Sequence, residues 1–169
     1  FNSMGVKVKV IEMLPEILGN MDKETSTMLR SEYKKKGVEF FLNTKVTEVS
    51  AEKVFVEEND KAGTIEADKI LVSVGRRPII KNLGIENLGI KTQGAGVKVN
   101  EHMQTSHPHV YAAGDITGFS LLAHTAYREA EVAIHHILGI PDKMSYKAIP
   151  VVVYTNPELA SVGKTEEEL

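Results

Sequence analysis

The sequence predicts a mixed α/β fold with open parallel sheets and a small antiparallel meander. Apolar runs that end in an acid or a glycine indicate strands, as in VKVKVIE at residues 6–12. Two segments with helical spacing and a glycine stop, 23–36 and 121–138, indicate the helices. Short β-type runs between residues 39 and 66 indicate the meander.

The first half of the chain is predicted to be a strand, a helix and the meander. Val6, Val8 and Val10 alternate with lysines and lead into Glu12, which predicts a strand that ends in an acid. Asp22 is a typical N-cap for the helix that follows. The β-type runs of this half lie at 39–42, 45–49, 53–58 and 63–66.

The second half is predicted to contain the longest helix and several short strands. The helix spans about Leu121 to Leu138, where neither glycine nor proline interrupts it. Predicted strands lie at 69–74, 97–100, 109–113, 149–154 and 159–162. Phe1–Met4 is typical of the end of a helix and Thr165–Glu168 of a capping box, so we expect an internal piece of a larger protein.

Composition excludes several classes of function. The 169 residues carry a formal net charge of −3, which argues against a nucleic-acid partner. No apolar run approaches the ~18 residues of a membrane span, and we expect no signal peptide. The chain has no cysteine, so it can hold no disulfide, thiolate nucleophile or cysteine metal site. Its six histidines do not cluster at ligand spacing, and we expect no metal.

Glu12 is a candidate ribose-binding residue. An acid at the end of the second strand of a Rossmann βαβ unit can accept both hydroxyls of an adenine ribose, and it favours NAD over NADP. The alternative is a solvated acid at a strand end. No G-x-G-x-x-G precedes Glu12, because the expected position of that fingerprint falls before Phe1.

Gly75 and the arginines after it form a second candidate. A glycine directly after the apolar run LVSV allows the backbone to approach a ligand closely at the carboxyl edge of a sheet. Arg76 and Arg77 could then attract a phosphate or pair with acids nearby. The alternative is a plain turn before Pro78.

Asp115 is the strongest candidate. It follows Gly114 at the end of a predicted strand, where a buried carboxylate needs hydrogen-bond donors such as the hydroxyls of a ribityl or ribose chain. The next helix is expected to begin near Leu121 or Leu122, and its positive end would stabilise the negative charge of a reduced flavin. The alternative is that Asp115 caps its own turn together with Thr117.

Four segments in order resemble the flavoprotein disulfide reductases, which carry two dinucleotide-binding domains. VYAAGDITG followed by LLAHTAYREA is similar to their second FAD-binding motif. VKVKVIEM and ILVSVGRRP are similar to strands of their NAD domain. AIPVVVYTNPELASVGKTEEEL is similar to the opening of their dimerisation domain. The resemblance covers nearly the whole chain.

The resemblance implies parts of two Rossmann-like FAD/NAD(P)-binding domains, three-layered and with a β-meander, plus the start of an α+β dimerisation domain. Residues 1–77 would belong to the NAD-binding domain, which would lack its first strand and its glycine fingerprint. Residues 78–145 would form the C-terminal part of the FAD-binding domain, and 146–169 the start of the dimerisation domain. The full-length protein would be a homodimer.

The same resemblance assigns cofactor-binding residues. Glu12 matches the adenosine-ribose acid of NAD-linked members, Val46 a backbone contact near adenine, and Gly75 a glycine near the nicotinamide nucleotide, with Arg76 beside it. Asp115, with Gly114 before it, matches the acid of the flavin ribityl–pyrophosphate region. The helix start beside the flavin ring is matched by Leu121, Leu122, Ala123, His124 and Thr125.

Among the reductases, the chain is most similar to members that oxidise dihydrolipoamide with NAD⁺ through FAD and a redox disulfide. Their partners are the lipoyl domain of a 2-oxoacid dehydrogenase E2 or the glycine-cleavage H protein, and their location is cytoplasmic, or the mitochondrial matrix in eukaryotes. Other members, such as mercuric reductase, glutathione reductase or NADH oxidases, and a non-catalytic nucleotide-binding or assembly module remain alternatives. The chain lacks the redox cysteines and the terminal histidine base, so it contains no catalytic residue and we expect it to be inactive alone.

Overall fold

The computed structural model describes residues 1–169 and confirms the mixed α/β class. The chain forms two compact units. The first comprises Phe1–Val72 together with Pro150–Leu169, and the second comprises Ser73–Ile149. We refer to them as unit 1 and unit 2.

Unit 1 begins with a 3₁₀ turn, Asn2–Met4, and a parallel strand pair joined by a helix. Strand β1, Lys9–Ile11, pairs with β2, Glu39–Phe41, and helix α1, Lys23–Lys35, connects them. The side chain of Asp22 accepts a hydrogen bond from the Glu24 amide at 3.1 Å, which confirms the predicted N-cap. The run at 39–42 therefore belongs to the parallel pair rather than to the meander.

The predicted meander is confirmed as three antiparallel strands with β4 in the centre. These are β3 (Thr44–Val49), β4 (Lys53–Glu58) and β5 (Lys61–Glu66). Their core is Val54, Val56 and Ile65, against which Ile11 and Phe41 pack. In β4, Val54 and Val56 are buried on one face in this core, while exposed Lys53 and Glu57 share the other face with half-buried Phe55.

The end of unit 1 is a two-stranded antiparallel pair and a 3₁₀ turn. Strands β8 (Pro150–Val153) and β9 (Leu159–Val162) form the pair, close to the predicted bounds. The final turn, Glu166–Glu168, carries the predicted capping box, in which the Thr165 amide donates to Glu168 Oε2 at 3.1 Å.

Unit 2 is built around the long helix α2, Ala123–Ile137. Its buried core contains Met103, Val132, Ala133 and Met144. Two-residue strands β6 (Thr92–Gln93) and β7 (Gly96–Val97) pair antiparallel, and 3₁₀ turns lie at Ile85–Leu88 and Asp115–Thr117. Neither α1 nor α2 has the length and apolar character needed to cross a lipid bilayer.

Three predicted strands are wrong. Residues 69–74 and 109–113 form no strand, and of 97–100 only Val97 lies in one. The run at 69–74 leaves Leu71 77% and Val74 91% exposed, and 109–113 contributes only an isolated bridge between Gln104 and Tyr111. Local composition favours extended backbone at these sites, but a strand also requires a neighbour for its N–H and C=O groups.

Candidate functional site

The junction between Gly114 and helix α2 contains most of the predicted flavin-site residues. Gly114 has φ 82° and ψ −158°, a backbone conformation that is open only to glycine. The amide and the hydroxyl of Thr117 both donate to the Gly114 carbonyl at 2.9 Å. The Gly118 amide donates to the Asp115 carbonyl at 3.1 Å. These bonds define a tight turn over residues 114–118, which we call the Gly114 turn.

Asp115 lies in this turn, but its surroundings differ from those expected. No strand precedes it and its side chain is exposed, so the prediction of a carboxylate at a buried strand end is wrong. The N-cap of the turn is Gly114, which has no side chain to cap it, and the buried Thr117 hydroxyl donates to the Gly114 carbonyl. The Asp115 carboxylate is therefore available to a polar ligand.

Helix α2 begins one residue after Leu122, its N-cap, which agrees with a predicted start near Leu121 or Leu122. Leucine offers no side-chain oxygen, and no side chain caps this end of the helix. Thr125 is buried and its hydroxyl accepts a hydrogen bond from Ser120 at 2.9 Å. Ala123 and His124 are exposed at the same end. The end is suited to bind an anionic or strongly polar group.

Glu129 is a residue of this region that sequence reasoning missed. It lies on α2, is 0% exposed, and accepts hydrogen bonds from the Gly114 amide and from the Tyr146 hydroxyl at 2.5 and 2.6 Å. Burial and the bond to this carboxylate both raise the pKa of Tyr146 well above its usual value. Glu129 shares its helix face with buried Thr125 and Val132, and this spacing is the signal that could have revealed it.

Gly96 positions the Gly114 turn from the opposite side. A Cβ at this position would lie 2.3 Å from the Thr117 carbonyl oxygen and 2.9 Å from the Gly118 nitrogen. Only glycine allows strand β7 to approach the turn so closely.

Gly75 and Arg76 also belong to unit 2. Gly75 has φ 103°, and no heavy atom lies within 4 Å of a Cβ built there, so its glycine is required by backbone conformation and not by crowding. Arg76 lines a cleft of about 370 Å³ together with Arg77, Thr117 and Phe119. The structure thus brings Arg76 to the Gly114 turn.

Glu12 and Val46 lie in unit 1. Glu12 directly follows β1, at the carboxyl end of the parallel pair, and its amide donates to the Phe41 carbonyl at 2.9 Å. One oxygen of its half-buried carboxylate accepts the Leu14 amide at 2.9 Å. Val46 lies on β3, an edge strand of the meander, where a bulge follows it.

Comparison with known proteins identifies the family. Residues 1–134 match the family model described as "Pyridine nucleotide-disulphide oxidoreductase". The chain is 41% identical to dihydrolipoyl dehydrogenase 3 of Pseudomonas putida in an alignment of 172 positions, gaps included, that covers 98% of this chain and 37% of the relative. It is 40% identical to dihydrolipoyl dehydrogenase of Geobacillus stearothermophilus, over 99% of this chain and 37% of the relative.

Solved structures show the same fold. LpdA from Mycobacterium tuberculosis matches 99% of this chain with a TM-score of 0.86 and 29% identity, over 37% of its own length. The HOCl-induced flavoprotein disulfide reductase RclA from Escherichia coli matches 98% of this chain with a TM-score of 0.84 and 26% identity, over 39% of its length. The chain therefore spans little more than a third of the proteins it matches. It belongs to the pyridine nucleotide-disulphide oxidoreductase family.

Proposed function

We propose that this chain is part of an NAD-linked dihydrolipoyl dehydrogenase, in which it supplies portions of the FAD and NAD sites. Sequence identity near 40% to dihydrolipoyl dehydrogenases along almost the whole chain supports this choice within the family. The observation that carries the proposal is the junction of an exposed acid, Asp115, in a glycine-dependent turn with a helix end that no side chain caps.

The junction fits a flavin nucleotide. Asp115 is exposed, and its carboxylate would accept hydrogen bonds from hydroxyl groups of the ribityl or ribose chain. The start of α2, from Leu121 to Thr125, would face the polar edge of the ring, where the positive helix end stabilises negative charge. When bound, FAD supplies the hydride chemistry, and the residues of this chain hold and orient it.

Glu12 and its neighbours fit a nicotinamide dinucleotide. One carboxylate oxygen of Glu12 accepts the Leu14 amide, which fixes the position of the carboxylate. The second oxygen can accept a ribose hydroxyl. Its negative charge would repel a 2′-phosphate, which favours NAD over NADP. Val46, also in unit 1, would contribute a backbone contact. The roles of Gly75 and Arg76 toward the nicotinamide nucleotide stay predictions from the family resemblance.

Domain roles and partners extend the same proposal. Residues 1–77 would serve the NAD domain, 78–145 the FAD domain and 146–169 the dimer interface. The full-length protein would act as a homodimer that receives electrons from a lipoyl domain. The dithiol chemistry must come from outside these 169 residues, because they contain no cysteine.

The proposal is tested in the full-length protein with Asp115→Asn, which removes the charge and keeps the size of the side chain. Hydrogen bonds to a charged group contribute about 1.5–3 kcal/mol, so we expect FAD to bind roughly 10- to 100-fold more weakly. The flavin-to-protein absorbance ratio after gel filtration and dihydrolipoamide-dependent NAD⁺ reduction are the measurements.

Asp60→Asn is the matched control, since Asp60 is exposed in a hairpin turn with φ 61°, a conformation that asparagine accepts. It should retain flavin and activity. A wild-type protein without flavin, or an Asp115→Asn protein that binds FAD as tightly as wild type, would contradict the flavin site. A protein that contains flavin but does not reduce NAD⁺ with dihydrolipoamide would contradict only the choice of substrate.

A further inference from the structure

The Gly114 turn is held from inside the protein by one buried acid. Glu129 is fully buried, and its two carboxylate oxygens accept separate hydrogen bonds, one from the Gly114 amide and one from the Tyr146 hydroxyl. Its partners are a backbone amide and a phenol, not a cation. Burying a carboxylate without a cation is costly, and such groups persist where a specific geometry depends on them.

Tyr146 extends this support to the other end of the turn. Its ring stacks on Phe119, with centroids 5.1 Å apart and the planes inclined by 27°. Phe119 directly follows Gly118, while the Glu129 bond reaches Gly114. The Glu129–Tyr146 pair therefore contacts both ends of the segment that presents Asp115.

Glu129 is unable to act by touching the ligand itself. It lies six residues into α2, about 9 Å along the axis from the first helical residue at 1.5 Å per residue. It is also 0% exposed, whereas Asp115 is exposed. Any effect of Glu129 on a ligand must pass through the turn.

We infer that Glu129 is a positioning residue for the flavin nucleotide: with Tyr146 it fixes the Gly114 turn relative to α2, so that the Asp115 carboxylate and the start of the helix face the same ligand. This inference deepens the proposed function and rests on it. A turn released from Glu129 would still hold its internal Thr117 bonds, but it would lose the hydrogen bond that ties Gly114 to α2. Part of the ligand's binding energy would then be used to order the turn relative to α2, and the ligand would bind more weakly.

The test compares Glu129→Ala with Val132→Ala in the full-length protein. Val132 is also 0% exposed on α2 and packs in the Met103 core, whereas the hydrogen bond from the Gly114 amide is accepted by Glu129; we expect truncation of Val132 to destabilise the unit while that bond stays in place. The measurements are FAD affinity of the apoprotein by fluorescence titration, its melting temperature, and amide exchange in the peptide containing residues 114–118.

We expect Glu129→Ala to raise the FAD dissociation constant about tenfold or more and to speed exchange in that peptide, as loss of a charged hydrogen bond implies. Val132→Ala should lower the melting temperature and change FAD affinity less than about twofold. Glu129→Gln keeps an oxygen for the Gly114 amide and should restore affinity to within about threefold of wild type. Tyr146→Phe should weaken FAD binding in the same direction but less, and it replaces Glu129→Ala if that variant does not fold.

Equal losses of FAD affinity in Glu129→Ala and Val132→Ala would show that Glu129 acts only through general stability and would overturn the inference. Unchanged affinity in Glu129→Ala, with a flavin-containing wild type, would overturn the inference and leave the proposed function standing. A wild-type protein that binds no FAD would overturn both, and faster exchange of the turn in Glu129→Ala would then show only a structural role.

Discussion

Replacing Gly96 by alanine is expected to distort the candidate flavin site, although Gly96 is not itself one of the residues assigned to that site. The added Cβ would meet the Thr117 carbonyl oxygen at 2.3 Å and the Thr117 carbonyl carbon at 2.5 Å. Ordinary contacts begin near 3.4 Å, so the overlap is about 1 Å. All the atoms concerned belong to the backbone, so no side-chain rotation can relieve it.

To relieve the overlap, strand β7 and the Gly114 turn must move apart. Overpacking a tightly packed site costs about 1–3 kcal/mol, and we expect about 3 kcal/mol here because two backbone segments must separate. Movement of Thr117 would also disturb its two bonds to the Gly114 carbonyl. Gly96→Ala should therefore lower both stability and FAD affinity.

Urea unfolding and flavin titration of the full-length protein measure these effects. Gly63→Ala is the control, because Gly63 lies in β5 and its added Cβ would meet only a Val56 methyl group at 3.4 Å. There alanine should be neutral or stabilise by about 0.5–1 kcal/mol. Equal unfolding midpoints for Gly96→Ala and wild type would refute the close approach of β7 to the turn.

Two further predictions concern unit 1. Arg30 donates two hydrogen bonds to the Glu16 carboxylate, at 2.7 and 2.8 Å, and lowers the pKa of Glu16 to about 2. The pair contributes on the order of 1 kcal/mol to the free energy of unfolding, because both groups are partly solvated. This contribution should be complete above pH 4.5 and lost as the pH falls through 2. The free energy of unfolding in urea should therefore fall less steeply with decreasing pH in Glu16→Gln than in wild type, and identical pH dependence would contradict the pairing. Glu12→Gln in the full-length protein should raise KM for NAD⁺ about tenfold and lower the ratio of kcat/KM for NAD⁺ to that for NADP⁺. The control Glu57→Gln, on the meander, should leave both quantities unchanged. An unchanged ratio in Glu12→Gln would contradict the role of Glu12.

Elements whose determinants are local could be predicted from the sequence. Helix α1 was predicted to within one residue, because Asp22 supplies its N-cap and Gly37, with φ 87°, terminates it. The meander was also predicted, since its strands are sequential and short turns connect them. In both cases the partners that satisfy the backbone lie a few residues away.

Predicted strands that find no partner strand in this chain do not form, and local sequence could not show this. The run at 69–74 has the composition of a buried strand, yet no strand of this chain pairs with it, and Val74 remains 91% exposed. Composition reports the preference of a residue for extended backbone, while pairing depends on what lies alongside. The exposed position of Asp115 follows from the same limit, because its burial was deduced from a strand at 109–113 that does not form.

The rigidity of the Gly114 turn is itself an argument for function. Three features converge on these few residues: the glycine-only conformation at Gly114, the close approach of Gly96, and the buried bond to Glu129. Surface turns are usually among the more mobile and replaceable parts of a fold. A buried carboxylate whose partners are not cations and two obligatory glycines are more than is needed to connect residue 113 to α2, and each carries a cost in stability. Together these features fix the position of one exposed acid, Asp115, next to the start of α2, which no side chain caps. A fixed position is useful for an exposed acid when the acid has to bind a ligand.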